Sequence, residues 1–289
     1  LGHFLEQDAA MLIRLGYDIT VTCPQPPPMI SMMSAERARA PDIRVAESLV
    51  TTPDVDTTSY EDLFGNVCRR FVAPEGDFII WSDCTIEDDG LPDPVDLSAE
   101  EVPVPELPED CLVYLTGSRY CETDELSQVA WDLFGQTPPG WTRVQAICDF
   151  VHGRLAFNYN TASSTRSAHD AYREEIGVCR DYAHLAIALC RCMNIPARYI
   201  NGYLGDIGVP IGSPDDFCAW MEVYLGGRWI TFDPRNNKPR IGRIVVARGR
   251  DAADVPLVNS FGPHVLKSFR VWTYEVTEDG YAARPEADA

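Results

Sequence analysis

The sequence predicts an α+β protein: an all-β sandwich in front of a domain in which a cysteine-bearing helix packs on an antiparallel sheet. Three observations predict it. Short alternating runs crowd the chain up to Glu87. A stretch rich in Pro, Asp and Glu, from Asp88 to Asp110, then interrupts them. Beyond it, an amphipathic run from Gly177 to Arg191 is followed by a strand and by two further strands joined through Gly226-Gly227. The expected boundaries are 1–100 for the β-sandwich, 101–120 for a linker, 121–276 for the cysteine domain and 277–289 for a tail.

The elements follow in order. Met11 to Cys23 alternates in its second half and reads as a strand, stopped by Pro24 and Pro26-Pro27-Pro28. Ile43 to Ala46 reads as a second strand. Gly65-Asn66 is a hairpin signal inside Asp62–Val72, and Asp77 to Glu87 is a further strand. Several short strands at close spacing are the pattern of a β-sandwich. After the acidic linker, a helix begins near Tyr120 with Thr123 as its cap, and Leu126, Val129, Ala130 and Leu133 form its apolar face. A second helix starts at Trp141 and carries Val144, Ile147, Cys148 and Val151 on one side. Ser167 to Tyr172 reads as a short helix.

In the run Gly177 to Arg191, Val178, Tyr182, Leu185 and Leu189 recur on one face of a 3.6-residue period. Pro196 ends the helical pattern. Cys179 therefore falls in the first turn, where unpaired N–H groups and the macrodipole favour a thiolate and can hold an oxyanion. Read locally, a small buried hydrophobe is an equal alternative. Downstream, Arg198 to Tyr203 reads as a strand. Asp216 to Leu225 and Arg228 to Phe232 form a hairpin that exits at Asp233-Pro234.

This order of motifs resembles the transglutaminase-like superfamily, a papain-like group of cysteine enzymes, in its bacterial type with an N-terminal β domain. The likeness covers about Trp141 to Asp233. There, Gly-Val-Cys179-Arg-Asp181, Asp-Phe-Cys218-Ala-Trp220-Met-Glu-Val and Phe-Asp233-Pro stand in sequence. By the resemblance, Cys179 is the nucleophile, position 218 the general base and Asp233 the group that orients the base. The family's histidine is replaced by Cys218, and a thiol cannot bridge nucleophile and carboxylate as an imidazole does. Three readings stay open here: a crippled site, another group acting as base, or a redox-sensitive pair. Asp233 also suits a turn-forming Phe-Asp-Pro. Trp220, two residues beyond position 218, shares its side of the strand and walls the groove. Asp181 makes a helix N-terminal interaction, and Arg180 offsets acid charge or helps depress the Cys179 pKa. Arg235, Lys238, Arg240 and Arg243 form a basic loop that either steers an anionic substrate or pairs internally with the excess carboxylates.

No histidine is expected to replace the base. His184 lies about 140° around the helix from Cys179 and reads as a packing residue. His152 reads as solvated, His169 as surface or capping, and His3 as terminal. His264 is a movable loop histidine and the first candidate to test. Beyond Val276 the chain reads as a frayed tail, and the final strand, Val265 to Val276, is compatible with either domain.

Composition narrows the function. With 44 acidic against 24 basic residues the formal charge is −20, which disfavours nucleic acid and anionic membranes as partners. No apolar run reaches about eighteen residues and no leader pattern is visible. Ten cysteines lack zinc-site spacing, so no metal is expected and they read as reduced and buried in a cytoplasmic protein. The expected activity is a cofactor-independent cysteine hydrolase, a peptidase or amidase working through a thioester on a peptide or protein substrate. A protein-crosslinking transglutaminase and a catalytically impaired binding module are the alternatives. Oligomeric state is not legible.

Overall fold

The computed structural model describes residues 11–210 and 216–279, without the side chain of Asp216; His3 and residues 280–289 of the expected tail lie outside the described residues. In chain order the elements begin with β1 (Met11–Cys23), β2 (Pro28–Ser31), β3 (Ile43–Val45), β4 (Val50–Thr52), β5 (Thr58–Glu61), β6 (Val67–Val72) and β7 (Gly76–Asp88). Helices α1 (Thr123–Phe134) and α2 (Trp141–Arg154), strand β8 (Ala156–Phe157), helix α3 (Ala168–Glu174), strand β9 (Ile176–Gly177) and helix α4 (Cys179–Cys192) follow. Strands β10 (Ala197–Leu204), β11 (Asp216–Leu225), β12 (Arg228–Phe232), β13 (Ile244–Gly249), β14 (Val258–Ser260) and β15 (Val265–Val276) complete the described chain.

Alternation in β1 and β7 puts Ile13, Leu15, Ile19 and Val21 of one and Phe78, Ile80, Cys84 and Ile86 of the other into the core. These two long strands pair antiparallel along their whole length. They centre a sheet ordered β15-β1-β7-β3, with β4 also on β7. A second sheet runs β14-β2-β6-β5. Phe71 of β6 meets Phe78 of β7 with ring centroids 5.6 Å apart, so the two sheets share buried apolar contact. β15 pairs with β1 rather than with the sheet beside the cysteine helix, and its register is fixed further by Trp272 Nε1 donating to Asp83 at 2.9 Å.

The third sheet, ordered β12-β11-β10-β13, carries the cysteine region. Gly226 and Gly227, at φ +58° and +81°, close the β11–β12 hairpin in the left-handed conformation that only glycine takes without strain. Helix α4 lies on this sheet and is buried from Tyr182 to Cys192. Three details differ from the sequence reading. Leu133 is exposed, and Phe134 joins Leu126 and Ala130 on the buried face of α1. Thr123 is the first residue of α1 rather than its cap, because Glu122 occupies the capping position without a side-chain bond. The acidic connection between β7 and α1 is fastened down: Asp93 pairs with Arg243 at 2.8 Å, Asp96 with Arg228 at 2.7 Å and Glu101 with Arg143 at 2.9 Å. Short carboxylates in the connection find cations on the cysteine side of the molecule, so the charge excess is partly spent on internal pairing.

Candidate active site

The start of α4 is set by three residues. Gly177 leaves room that a Cβ would fill at 2.7 Å from the Asp181 Cβ. Val178 turns the chain in extended conformation. Asp181 folds back so that its Oδ2 accepts the Val178 N–H at 2.9 Å. Asp181 is fully buried, with Arg166 at 3.3 Å and Arg180 at 3.7 Å. Burial pushes its carboxyl above the usual carboxylate range against these partners. It braces the turn from behind. Arg180 lies over the Tyr120 ring, 5.0 Å from its centroid, and donates to the Ser163 carbonyl. Its backbone N–H bonds to the Cys179 sulfur.

Cys179, the first residue of α4, is the one cysteine of the ten that is not fully buried. The Cys218 thiol hydrogen-bonds to its sulfur and draws the Cys179 thiol below its ordinary value. Burial opposes this, while the Ala219 N–H, the Arg235 guanidinium and the Arg180 N–H add to it. Cys218 moves the opposite way. Its bond to Cys179, burial, and the charges of Cys179 and Asp233 push it well above the ordinary thiol value. Its proton has a second acceptor in the Ala219 carbonyl at 3.6 Å. The other eight cysteines are buried and raised.

Trp220 is on the same side of β11 as Cys218. With Ile200, Leu204 and Cys218 it forms a small apolar cluster against which Cys179 packs. At 1 % exposure it is a floor under the sulfur pair rather than a rim. Arg243 lies 4.9 Å above its ring.

Asp233 sits at the end of β12, near enough for its charge to act on Cys218. The bonds its carboxylate accepts come from elsewhere: Arg235 N at 3.0 Å, Asn236 N at 2.9 Å, Asn236 Nδ2 at 2.7 Å and Arg243 Nη2 at 2.7 Å. Burial alone would raise its pKa. The Arg243 charge and the Asn236 and Arg243 bonds outweigh it and hold the carboxyl below the ordinary range. The Phe-Asp-Pro segment is thus a turn in which an aspartate caps its own loop and neutralises an arginine.

Of the basic loop, Arg235 is the member whose charge acts on the two sulfurs, a placement the sequence reading did not single out. Its N–H donates to Asp233, and its carbonyl accepts from His152 Nδ1 at 2.8 Å. Its guanidinium lies 4.3 Å from the Phe157 centroid and carries its charge to Cys179 and Cys218. Arg240 and Arg243 of the same loop are committed to Asp206, Asp93 and Asp233. Among the described residues, no carboxylate forms an ion pair with Arg235.

The histidines are elsewhere. His184 is fully buried between Tyr120 and Tyr199, its Nε2 accepting the Ala252 N–H at 3.1 Å. Burial and the nearby Arg180 and Arg191 charges hold it well below its ordinary pKa. His169 lies in α3. His264 sits in the exposed connection between β14 and β15, by the Thr22 end of β1.

A family model described as the transglutaminase-like superfamily matches residues 128–234. A solved structure titled "Putative Cysteine Protease from Cytophaga hutchinsonii" is 31 % identical, with a TM-score of 0.81, over 96 % of this chain and 94 % of that one. The chain belongs to the transglutaminase-like superfamily. Uncharacterized protein ML0607 of Mycobacterium leprae is 26 % identical over 71 % of this chain and 76 % of its own length. Uncharacterized protein Rv2569c of Mycobacterium tuberculosis is 40 % identical over 35 % of this chain and 36 % of its own length. The expected α+β architecture, a sheet-rich N-terminal region ahead of a papain-like core, is the one observed. Among the described residues no helix is long and apolar enough to cross a membrane. Nor do three or more His, Cys, Asp or Glu side chains there converge as a metal site.

Proposed function

We propose that this superfamily member is a cysteine hydrolase that takes acyl groups from amide or ester substrates, with peptides as the natural class. One observation carries the reading: of ten cysteines, the partly exposed one at the start of α4 is the one drawn toward its thiolate. Cys179 attacks the carbonyl carbon and forms a thioester. The first-turn N–H of Cys179 has no partner inside the helix and suits the oxyanion. Cys218 holds the proton nearest the reacting sulfur, and we assign it the role of passing that proton to the leaving group. Water then releases the acid. No residue in this scheme needs a cofactor, and a thiol nucleophile suits a reducing compartment such as the cytoplasm.

A second reading, a peptide-binding module with a disabled relay, draws on the commitment of Asp233 to Arg243 and Asn236. Reaction with a p-nitrophenyl ester of an N-acylated amino acid separates the two. The hydrolase reading expects a burst of nitrophenolate, an acyl adduct at Cys179 and continued turnover, all lost in Cys179→Ala. An adduct that persists without turnover supports the binding module. Absence of any adduct at Cys179 overturns the hydrolase. A primary amine added to the acylated protein distinguishes crosslinking from hydrolysis by the product formed.

A further inference from the structure

The acyl-transfer chemistry uses one sulfur as a nucleophile and leaves the second without a role that requires sulfur. An attacking thiol is best placed where it is partly exposed and ionised, and a resolving thiol where it is sheltered, protonated and in contact with the first. Cys179 meets the first description at the mouth of α4. Cys218 meets the second on the neighbouring strand β11, 7 % exposed, in the apolar cluster against which Cys179 packs. The floor beneath both is Trp220 with Ile200 and Leu204, which keeps water from the far side of the pair. Arg235, whose charge reaches both sulfurs, is held at its N–H by Asp233, at its carbonyl by His152 and on its flat face by Phe157. Among the described residues it has no carboxylate of its own.

We infer that the Cys179–Cys218 pair carries out thiol–disulfide exchange on small disulfides that bear carboxylates, Cys179 attacking, Cys218 resolving and Arg235 receiving a carboxylate of the substrate. The Cys179 thiolate attacks one sulfur of RS–SR, makes the mixed disulfide and expels RS⁻. Cys218 gives its proton to that leaving thiolate, and its sulfur attacks the Cys179 sulfur. A Cys179–Cys218 disulfide forms and the second RS⁻ departs. Two protein thiols are oxidised and one disulfide is reduced; a thiolate, a thiol and a disulfide enter, and a disulfide, an RSH and an RS⁻ leave. This inference shares its nucleophile with the hydrolase reading and needs no carbonyl substrate, so the two can fail separately.

The test uses the whole chain, reduced and freed of reductant, with oxidised glutathione as the probe. Samples are quenched in acid and read by intact mass and peptide mapping. The wild type is expected to become two hydrogens lighter, with Cys179 joined to Cys218, and to recover its mass with dithiothreitol. Cys218→Ser is expected to hold glutathione on Cys179, where the wild-type adduct survives at least about tenfold more briefly. Far-UV circular dichroism checks that the variant is folded. Replacing Arg235 with Met should slow reaction with glutathione disulfide more than with the uncharged disulfide of 2-mercaptoethanol. A wild-type adduct as long-lived as that of the variant, or glutathione settling on other cysteines, overturns the inference. If iodoacetamide still labels Cys179 selectively in that case, the nucleophile survives and only the exchange activity is lost. Should Cys179 not label ahead of the other nine, both readings fall.

Discussion

The two ends of the site differ in what their charges are doing. Around Cys179 the donors converge on one sulfur: a thiol from Cys218, N–H groups from Ala219 and Arg180, and the charge of Arg235. Around Asp233 they converge on a carboxylate, and each one belongs to the turn itself or to Arg243. The first end favours the anionic form of a half-buried sulfur. The second buries an anion and closes around it. In a Cys–His–Asp arrangement the carboxylate would steer an imidazole toward the sulfur. With Cys218 in that place there is nothing for Asp233 to steer, and its charge is answered by Arg243. What lowers the Cys179 thiol here is the Cys218 thiol first, with the Ala219 N–H and the Arg235 charge adding to it.

The Asp233 end should break hardest. The Arg243 side chain is 6 % exposed, holds Asp93 at 2.8 Å and Asp233 at 2.7 Å, and lies over Trp220. Arg243→Met removes one cation and strands two carboxylates, of which Asp233 is almost wholly enclosed. Breaking a buried pair from one side costs about 3–5 kcal/mol. Urea unfolding should show a loss of that size. A loss under about 1 kcal/mol would mean that Asp233 is not held as an anion, and the contrast between the two ends would dissolve.

At the Cys179 end the expected effect is on reactivity. Arg235→Met removes a fixed charge beside the sulfur, and a pKa rise of one unit is about a tenfold loss of thiolate at a pH below it. Iodoacetamide labelling of Cys179 at neutral pH should slow by about tenfold, with unfolding stability little changed. The wild-type pH profile sharpens the point. The Cys179 pKa is lowered, so its labelling rate should begin to rise at a pH below that of an ordinary thiol and then level off. A guanidinium does not deprotonate in this range, so no descending limb follows. A bell-shaped labelling profile with a second inflection near the histidine value would place an imidazole at the sulfur after all.

Much of this contrast was visible in the chain, but unevenly. Helix α4 and the β11–β12 hairpin are local objects: an apolar period, a glycine before the cysteine and a Gly-Gly turn specify each within one short stretch of sequence. The meeting of Cys179 with Cys218 could be anticipated from the order of the three motifs. Arg235 could not, because what fixes it is remote: His152 on α2 is 83 positions away, and Phe157 belongs to another strand. For Asp233 the motif order pointed to a site role and Phe-Asp-Pro to a turn, and the neutralisation of its carboxylate depends on a loop that brings Arg243 back ten positions later. The short strands β2, β4 and β14 carry too few residues to show a period. The placement of β15 beside β1 is a choice of partner, and alternation reveals a strand without naming its neighbour.

The smallest effect probes whether Arg235 is held as well as present. His152 is exposed and donates from Nδ1 to the Arg235 carbonyl, so it acts on the loop and not on the sulfur. Its removal in His152→Ala costs one hydrogen bond at the surface, with a net worth of about 0.5–1 kcal/mol. If that bond holds Arg235 over Phe157, labelling of Cys179 should fall on the order of threefold while the shape of the pH profile stays the same. The carbonyl is its acceptor, so His152→Asn, whose side-chain amide can donate in its stead, should restore part of the rate. An unchanged rate in His152→Ala would show that Asp233 and Phe157 alone position the guanidinium. The two ends of the site would then be joined through the aspartate's grip on the Arg235 N–H, which makes the buried turn the support on which the thiolate's counter-charge rests.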